Sequence, residues 1–556
     1  MDQRVNGQRP LLRGRLSVQD GLMLGFVLII AGLITIPIFA GGYFSISWDG
    51  RIHLARFQQI VWALKAHHLP SLVSFVGFGQ QLSTLNGMYP WLTAGFFFWP
   101  SLFTDNPLHA IKLGFLVVNF LTGVTAFILM RTVTNNRYYQ SLGVSLYMLN
   151  TYHLTLLYAR VDLGEVLAYI FLPLVMLGCL RIWQSPCLRS KGWCWLAVGM
   201  IGIANSHILS LLIVTSLLVV MEMGRLVLRR LTREEITSLL VAGGVSILGS
   251  CYSLGNIIYI ASHNHLLAPQ LKILPITPNI AVGALLSGGL NERFDTWNVG
   301  IVMSTLLIVQ LITIAFLMVN QKSVYTWQKW TWASLVLTVL PVSWWPYQLL
   351  VQTPVALIQF PGRLLSIAGL VLAITTVLYF KELKLHPKIV VGVQVVLTLM
   401  ALRSVYDYAV LPQDTLTNPG HVQLTRKNLQ QELLNNTALG QDYLPATADL
   451  TVPRGLVIKT SNVKDNQITY NIKASHAGSY RLPVAYYQGI SYRIRLNQKI
   501  VKSLDAHQMK FVLKRGDNVL TVQSNTPMFD YALLGVSLAT AMGCLLYLGI
   551  RMKLTL

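Results

Sequence analysis

Apolar runs of about 20 residues recur along the chain, and short segments rich in Lys and Arg separate them. A run of this length crosses the hydrocarbon core of a bilayer as one helix, so the pattern predicts a polytopic helical membrane protein. The first run lies at about 21–40 and the last at about 530–550, and together they predict about twelve spans. The first run is too long for a removable signal peptide, so we expect it to stay as a helix.

The basic residues predict which side of the membrane each segment faces. Arginines precede the first run and follow the last, so the positive-inside rule places both termini in the cytoplasm. Alternation of the spans then places the first long loop, 41–106, on the outside. Within it, 88–104 is apolar but short and bounded by prolines, and we expect an interfacial or re-entrant segment there. The terminal basic residues are Arg4, Arg9, Arg13, Arg15, Arg551 and Lys553.

Residues 406–528 follow a different pattern. His421–Asn436 is compatible with one helix, and from Leu456 onward the apolar positions alternate with polar ones. A period of two is typical of strands, and Arg515–Asn518 is a turn signal between two of them. The pattern predicts an extracytoplasmic β-sandwich domain with a positive surface. That surface is either an ordinary solubilising one or a face for anionic lipid or an anionic wall polymer.

The composition supports a membrane protein and excludes other classes. Hydrophobic residues make up 53% of the chain and charged residues 12%, whereas soluble proteins carry about 25% charged residues. The net charge of +22 comes from the segments between apolar runs, which excludes nucleic-acid binding. The five cysteines lie in or beside apolar runs and predict no disulfide framework. The chain divides into a multi-span domain (1–405), an outer β-rich domain (406–528) and a C-terminal transmembrane helix with a short tail (529–556).

The stretch Ser47–Arg56, directly after the first span, is the most charged part of the first outer loop. It carries Asp49, Arg51, His53 and Arg56 within a few residues. Charge is costly to hold near lipid, so ionisable groups at a membrane surface are candidates for function. Asp49 and His53 are four residues apart and would share one face of a helix. The alternative is a solvated turn whose arginines extend to the lipid head groups.

Two further segments carry ionisable residues on the predicted outer side. Arg160, Asp162 and Glu165 lie in a short loop between two spans, and Arg363 follows a Pro-Gly break at the start of a late span. Each has a structural alternative: a local ion pair that closes the loop, or an interfacial arginine. If the three segments meet, a carboxylate is suited to act as general base on an acceptor hydroxyl. Guanidiniums are suited to hold the phosphate of an anionic lipid donor.

No motif of a soluble enzyme is present. The chain lacks a phosphate-binding glycine loop, a zinc spacing of Cys and His, and a nucleophile elbow. One carboxylate with one imidazole is too small a ligand set to predict a metal. A lipid-linked donor would need no nucleotide and no other cofactor, so we expect none.

Four short motifs follow one another along the chain. They are Trp48-Asp49-Gly50 with His53 and Arg56, the Arg160–Glu165 loop, Gln359–Arg363, and Tyr486–Ile490 followed by Asn497-Gln498-Lys499. In this order they resemble the YfhO-like and 6-pyruvoyl-tetrahydropterin-synthase-related bacterial membrane proteins, where the pterin term is only a label of the group. Two positions depart from the pattern of the group, since Gly362 and Ile490 stand where it usually has Trp.

That group is similar in layout to the GT-C glycosyltransferases, which use polyprenyl-phosphate sugars at the outer leaflet and an acidic base in the first outer loop. The resemblance implies a glycosyltransferase of the bacterial plasma membrane. Its partners would be a polyprenyl-phosphate sugar, membrane lipids and a cell-envelope acceptor such as a teichoic acid or a glycolipid. The candidate catalytic residues are Asp49, Asp162 and Glu165, the candidate phosphate-binding residues are Arg51, Arg56, Arg160 and Arg363, and His53 is a further candidate.

Two other functions stay open at this point. A transporter or flippase for a lipid-linked envelope precursor would need polar residues at mid-membrane depth, often in broken helices with repeat symmetry. The sequence shows no internal repeat. Few ionisable residues lie well inside the predicted spans, and Glu222 is the clearest example of one that does. A non-catalytic scaffold for envelope assembly would use the outer domain to bind a partner.

Overall fold

The computed structural model describes residues 17–267, 272–321, 325–410, 422–435 and 442–553. The N-terminal arginines that predict a cytoplasmic N terminus lie outside these ranges. The helices are α1 (Val18–Thr35), α2 (Trp48–Lys65), α3 (Leu85–Met88), α4 (Gly95–Phe98), α5 (Pro107–Val133), α6 (Arg137–Leu149), α7 (Thr151–Leu154), α8 (Leu163–Tyr169), α9 (Leu172–Gln184), α10 (Gly192–Ala204), α11 (Ile208–Val227), α12 (Arg233–Gly249), α13 (Cys251–His263), α14 (Pro278–Ser287), α15 (Ile301–Val319), α16 (Thr326–Val339), α17 (Leu365–Glu382), α18 (Pro387–Val410), α19 (Leu429–Leu434) and α20 (Met528–Lys553). The strands are β1 (Phe44–Ile46), β2 (Val422–Leu424), β3 (Leu456–Val463), β4 (Gln467–Ala474), β5 (Gly478–Ala485), β6 (Ser491–Leu496), β7 (Lys499–Val501), β8 (Gln508–Leu513) and β9 (Gly516–Asn525).

The protein is a mostly helical, polytopic membrane protein with a β-rich region near its C terminus. In the described residues, eight helical segments are long and apolar enough to cross a membrane, and α12 with α13 makes nine if this pair, bent by 68°, is one broken span. The eight segments are Val18–Phe39, Pro107–Val133, Leu163–Gln184, Ile208–Val227, Phe294–Val319, Pro361–Glu382, Pro387–Val410 and Met528–Gly549.

This number is lower than the prediction of about twelve spans. The apolar runs at 141–158, 192–206 and 331–345 correspond to α6, α10 and α16, which have only 13, 13 and 14 helical residues. At about 1.5 Å per residue such helices reach roughly 20 Å, short of a hydrocarbon core of about 30 Å. Hydropathy predicts a membrane span at each of these helices because apolar residues are favoured both where a helix is buried in protein and where it is buried in lipid.

Two of the long segments form the centre of the helical part, and two others lie at its edge. In the 18-residue apolar stretches of Leu163–Gln184 and Pro361–Glu382, 89% and 83% of the residues are buried inside the protein. The corresponding shares are 11% in Ile208–Val227 and 17% in Met528–Gly549. The first pair therefore packs against protein on all sides, and the second pair presents its apolar side chains outward, where lipid would surround them.

The first loop, 41–106, holds one long helix and an irregular segment. Helix α2 begins at Trp48, so Asp49 lies in its first turn. Residues 88–104 form only short helical turns, of which Leu92–Leu102 is the apolar part, too short for a crossing. Strand β1 pairs with β2, which follows α18 in the sequence. The predicted helix at His421–Asn436 is therefore wrong in its first part, and its helical part is only α19.

The strands from Leu456 to Asn525 confirm the predicted β-rich region. A five-stranded sheet has the order β3-β4-β9-β6-β7, and a second sheet pairs β5 with β8. The two sheets enclose an apolar core that includes Tyr470, Leu520 and Phe511. Leu72, Val73, Phe75 and Leu82 of the first loop pack into the same core, and Tyr470 donates a hydrogen bond to the Gln80 carbonyl at 2.6 Å. The β-rich region is thereby joined to the helical part through that loop.

Candidate functional site

The N-terminal ends of several helices surround one charged cavity of about 340 Å³. Helices α2, α8 and α11 begin here, as does the short turn Pro361–Leu364 that leads into α17. Helix N-termini carry partial positive charge, so their convergence favours an anionic ligand. The lining residues are Asp49, Ile52, His53, Phe78, Ser83, Leu85, Tyr89, Arg160, Asp162, His207, Leu209, Gln359, Phe360, Arg363, Asp442 and Tyr443.

Arg160 links the 160–165 segment to the first loop through its ion pair with Asp49. Its Nε and Nη2 atoms lie 3.1 and 2.9 Å from Asp49 Oδ2, and Nη2 also lies 3.0 Å from Asp162 Oδ2. The side chain of Asp49 is 36% exposed, whereas that of Asp162 is 5% exposed. Asp49 is therefore the carboxylate of this group that a ligand in the cavity can reach most easily.

Glu165 lies behind the cavity wall and bridges two guanidiniums. Its Oε2 atom is 3.7 Å from Arg160 Nη1 and 3.4 Å from Arg363 Nε. Tyr152 donates a hydrogen bond of 2.7 Å to Oε1, and the Glu165 side chain is 3% exposed. This arrangement positions the two arginines at a fixed separation and leaves Glu165 away from the space that a substrate would fill.

His53 and Arg56 extend the charged group in the direction of α2. Arg56 Nη1 lies 3.5 Å from His53 Nδ1, and His53 Nε2 lies 3.5 Å from Asp162 Oδ1. Nδ1 therefore accepts from Arg56, and Nε2 carries the proton toward Asp162. Arg56 also donates to Asn86 Oδ1 and to the Tyr89 carbonyl, and its guanidinium stacks on the Tyr89 ring at 4.5 Å. These protein partners engage Arg56 within the wall.

Arg51 is not brought to the cavity. It lies two residues after Asp49 on α2, on a different face of the helix from Asp49 and His53. Its Nε atom is buried and has no hydrogen-bond partner within the described residues. The phosphate-binding prediction for Arg51 therefore gains no geometric support, while Arg160 and Arg363 both line the cavity.

An unusual backbone conformation places Arg160 and Asp162. Thr155–Arg160 forms a π-helical turn, and the following residue, Val161, has a left-handed φ of 53°. This conformation is strained for a β-branched residue, and π turns and strained residues concentrate at functional sites. The turn ends α7 and lets Asp162 cap α8, where its side chain accepts from the Glu165 amide at 3.2 Å. Ser47 holds the same turn by donating to the Arg160 carbonyl.

Gly50 permits the close approach of α2 to this strained turn. A Cβ atom at Gly50 would lie 2.9 Å from Val161 Cβ and 3.1 Å from Ile46 Cβ. We expect Gly50→Ala to lower stability by about 1–3 kcal/mol, because neither buried β-branched neighbour can yield without backbone movement. Thermal unfolding in detergent measures this effect.

The matched control for that variant is Gly224→Ala. Gly224 lies inside α11, and a Cβ there would meet no atom within 4 Å. We expect this change to be neutral or stabilising by up to about 1 kcal/mol, since Ala favours the helix. An equal loss of stability in both variants would contradict the packing argument for Gly50.

Aromatic rings lie against the guanidiniums of Arg160 and Arg363. The Arg160 guanidinium lies 4.9 Å from the Trp297 ring and 5.5 Å from Phe360, and Arg363 lies 5.0 Å from Phe360. A Cβ at Gly362 would lie 2.6 Å from Trp297, so the indole fills the space beside this glycine.

The paired charges keep Arg160 and Asp162 ionised. Burial opposes ionisation of Asp162, but the Arg160 guanidinium outweighs it and holds the pKa of Asp162 well below its ordinary value. Burial also opposes the charge of Arg160, yet Asp162, Asp49 and Glu165 raise its pKa above the usual value. Arg160 and Asp162 therefore both stay charged at neutral pH.

His207 is a cavity residue that the sequence analysis missed. It is the N-cap of α11, and its Nδ1 atom accepts from the Ser210 amide at 3.3 Å. Burial lowers the pKa of His207 to about 3. The ring is thus neutral, with its proton on Nε2. A signal was present, since Asn205-Ser206-His207 is a polar break between two apolar runs.

The buried His207 predicts loss of stability in acid. Because its pKa is about 3 in the folded protein and 6.5 ordinarily, the unfolded chain binds the extra proton between these values. Above pH 6.5 this titration does not change the free energy of unfolding. As the pH is lowered, the free energy of unfolding decreases, by about 2 kcal/mol at pH 5. His207→Asn keeps a capping side chain but cannot titrate. We therefore expect its melting temperature to fall less between pH 7 and pH 5 than that of the unchanged protein.

His386 provides the control for this pH dependence. It is exposed, and its Nδ1 accepts from the Lys388 amide at 3.2 Å at the start of α18, as His207 does at α11. His386→Asn makes the same substitution at this exposed position and is the reference with which the pH profile of His207→Asn is compared. Identical pH profiles for His207→Asn and the unchanged protein would refute a neutral buried His207.

Other cavity residues come from segments that sequence patterns do not connect. Tyr89 reaches the site because Gly164 leaves room for it, since a Cβ at Gly164 would lie 2.0 Å from the Tyr89 hydroxyl. Asp442 and Tyr443 precede the β-rich region, and the Tyr443 amide donates to the Leu267 carbonyl at 2.9 Å. No local signal marks these two residues, because only the path of the folded chain brings them to the cavity.

Comparison with known proteins gives no relative for this chain. No family model, no curated protein and no solved structure matches it. Within the described ranges, no group of three or more His, Cys, Asp or Glu side chains is arranged to hold a metal ion.

Proposed function

We propose that this protein is a membrane glycosyltransferase that moves a sugar from a polyprenyl-phosphate donor to a cell-envelope acceptor. The observation that carries the proposal is the convergence of Asp49, Arg160, Asp162 and Arg363 on one cavity at several helix N-termini. These residues come from three segments that are distant in the sequence. An ion pair that only closed the 160–165 loop would not require Asp49 or Arg363. The arrangement provides a reachable carboxylate beside two cations.

The proposed reaction uses Asp49 as general base. Its carboxylate takes the proton of the acceptor hydroxyl as the oxygen attacks the anomeric carbon of the donor sugar. The bond between that carbon and the phosphate oxygen breaks, and the polyprenyl phosphate leaves with the electron pair. Arg160 and Arg363 stabilise the leaving phosphate together with the helix N-termini.

Differences in exposure assign distinct roles to the three carboxylates. Asp49 is about one-third exposed, whereas Asp162 and Glu165 are almost fully buried and paired with arginine. Burial opposes ionisation of Asp162, but the Arg160 guanidinium holds its pKa well below the ordinary value, which makes Asp162 a poor general base. Glu165 is not among the residues that line the cavity. We therefore assign catalysis to Asp49, and to Asp162 and Glu165 the positioning of Arg160 and Arg363.

The proposal also includes a location. It places the protein in a bacterial plasma membrane with a GT-C-like layout, both termini cytoplasmic and residues 406–528 outside. The cavity would then open at the outer leaflet, where polyprenyl-phosphate sugars and envelope acceptors meet. Membrane lipids are its surroundings, and no cofactor is required beyond the lipid-linked sugar.

Binding of undecaprenyl phosphate to the purified protein in phosphatidylcholine nanodiscs tests the proposal. We expect Arg363→Gln to weaken binding by about tenfold or more, because an arginine–phosphate pair is lost. Arg363→Lys should retain part of the affinity, since it keeps the charge but not the fork. Arg403→Gln, at a side chain that is 72% exposed, should bind as the unchanged protein does. Failure of the unchanged protein to bind, or equal binding by folded Arg363→Gln, would contradict the proposal.

One observation favours a second candidate, a flippase for a lipid-linked precursor. Helices α12 and α13 are bent by 68° where they meet and would together make one broken span, and broken helices are common in transporters. Proteoliposomes that contain a fluorescent polyprenyl phosphate distinguish the two functions. Translocation by the Asp49→Asn variant at the unchanged rate, without sugar transfer by either protein, would favour the flippase. A non-catalytic scaffold is favoured if envelope assembly is intact after the same substitution and neither activity is measurable.

A further inference from the structure

The five-stranded sheet has one face that the core does not use. On the inner face lie Tyr470, Ile494 and Leu520, which are buried. The strand register places every second residue on the opposite, open face. Side chains that lie opposite one another on neighbouring strands form rows across this face. The rows are Arg493–Gln523–Gln467, Arg495–Thr521–Thr469, Val519–Asn471–Lys459 and, at one end of the strands, Asp517–Lys473. We call this open surface the basic sheet face.

The cations of the basic sheet face outnumber its one carboxylate, Asp517, which lies opposite Lys473. In the part of the chain that the structure describes, no ion pair or hydrogen bond holds the side chains of Lys459, Lys473, Arg493 or Arg495. Residues 456–525 contain eleven Lys and Arg against three Asp. Two of these three are already paired, Asp465 with His68 and Asp505 with Arg481. The face therefore carries a positive potential that attracts an anion.

The remaining side chains of the face are of a kind that recognises hydroxyl groups. Gln467, Gln523, Thr469, Thr521 and Asn471 are amides and hydroxyls, which both donate and accept hydrogen bonds. The strands that carry them extend roughly 20 Å, and five strands cover roughly the same distance across the sheet. This area is large enough for several units of a polymer.

The composition of the face decides between two anionic partners. A membrane surface would be met by aromatic side chains that insert among the lipids, yet the rows of this face contain no Trp, Tyr or Phe, and their exposed apolar side chains, Val457, Val519 and Ile500, lie in three separate rows. Cations interspersed with amides and hydroxyls instead match phosphates interspersed with sugar hydroxyls. We propose that the basic sheet face binds a phosphate-bearing glycan chain. This binding does not depend on whether the cavity transfers sugar.

The test measures binding of a poly(glycerol phosphate) that carries glucosyl groups to the full-length protein in phosphatidylcholine nanodiscs, with no donor present. Arg493→Gln with Arg495→Gln should weaken binding by about tenfold or more, because two cations facing the polymer are removed. The control is Lys510→Gln with Lys514→Gln, which removes the same charge from β8 and the turn that follows it. We expect the control to weaken binding by less than about twofold. Raising the salt concentration should weaken binding by the unchanged protein.

Several results would overturn this inference. These are no binding by the unchanged protein, an equal loss in both double variants, and equal binding of uncharged dextran. Equal binding of inorganic polyphosphate would show that the sugar groups are not recognised. Binding of phosphatidylglycerol vesicles without binding of the polymer would identify a lipid surface as the partner. The four substituted side chains lie outside the buried core. Melting temperatures equal to that of the unchanged protein would therefore show that the variants are folded. Loss of undecaprenyl phosphate binding at the cavity would leave this result unaffected.

Discussion

Replacing Asp49 with Asn is expected to abolish sugar transfer while the protein stays folded. The amide has nearly the same shape as the carboxylate and keeps one oxygen that can accept from Arg160, but it cannot take a proton from the acceptor. General base catalysis contributes about 10²–10⁴-fold to rate, so we expect a loss of that order. The side chain is 36% exposed, and water therefore compensates much of the lost ion pair.

Envelope glycan analysis of a strain that carries only the variant measures this loss, and purified protein with donor and acceptor measures it directly. The control is Asp407→Asn, at an exposed aspartate that pairs with Arg403 at 3.3 Å on α18. It removes the same charge outside the cavity and should leave transfer unchanged. Retained envelope sugar with folded Asp49→Asn would remove the assignment of Asp49 as the base.

Replacing Arg160 with Met is expected to destabilise the protein strongly. The guanidinium faces Asp49, Asp162 and Glu165, and two of these carboxylates are buried. Loss of one partner of a buried ion pair leaves an uncompensated buried charge, which costs about 3–5 kcal/mol. Methionine approximates the apolar length of the side chain, so the effect reports mainly the charge. Thermal unfolding in detergent measures the loss, and Arg403→Met, at an exposed arginine, should cause almost none.

A double variant separates this electrostatic effect from lost packing. Glu165→Gln removes one of the carboxylates that Arg160 faces, so its combination with Arg160→Met should cost less than the two single changes added together. Exact additivity in the double variant would mean that Arg160 stabilises the protein by packing on Trp297 and Phe360. In that case, the charge argument for the centre of the site would fail.

The sequence predicted part of the site for a clear physical reason. Near the start of α2, Asp49 and His53 are four residues apart and both line the cavity, as their shared helical face predicts. Arg51 is only two residues from Asp49 and lies on a different face. Arg56 is seven residues on, two turns deeper, where it enters the wall beside Tyr89. A cluster of charges in sequence is therefore only partly a cluster in space.

The count of spans shows a limit of a different kind. The apolar runs were located correctly, but α6, α10 and α16 are too short to cross a bilayer. The polar break at Asn205–His207 was visible in the sequence, yet its role as a cavity wall was not. The period-two pattern from Leu456 onward predicted strands, and the structure confirms them.

The sequence by itself determined that this is a polytopic helical membrane protein with a β-rich C-terminal region, because hydrophobic period and run length act locally. It also indicated Asp49, Arg160, Asp162 and Arg363 as unusual charges beside apolar runs. Only the tertiary structure decided which of them meet. The strained turn at Val161, the space left by Gly50 and the placement of Asp442 and Tyr443 are contacts between segments far apart in the chain. No local pattern encodes such contacts, since each depends on how the packed helices are arranged.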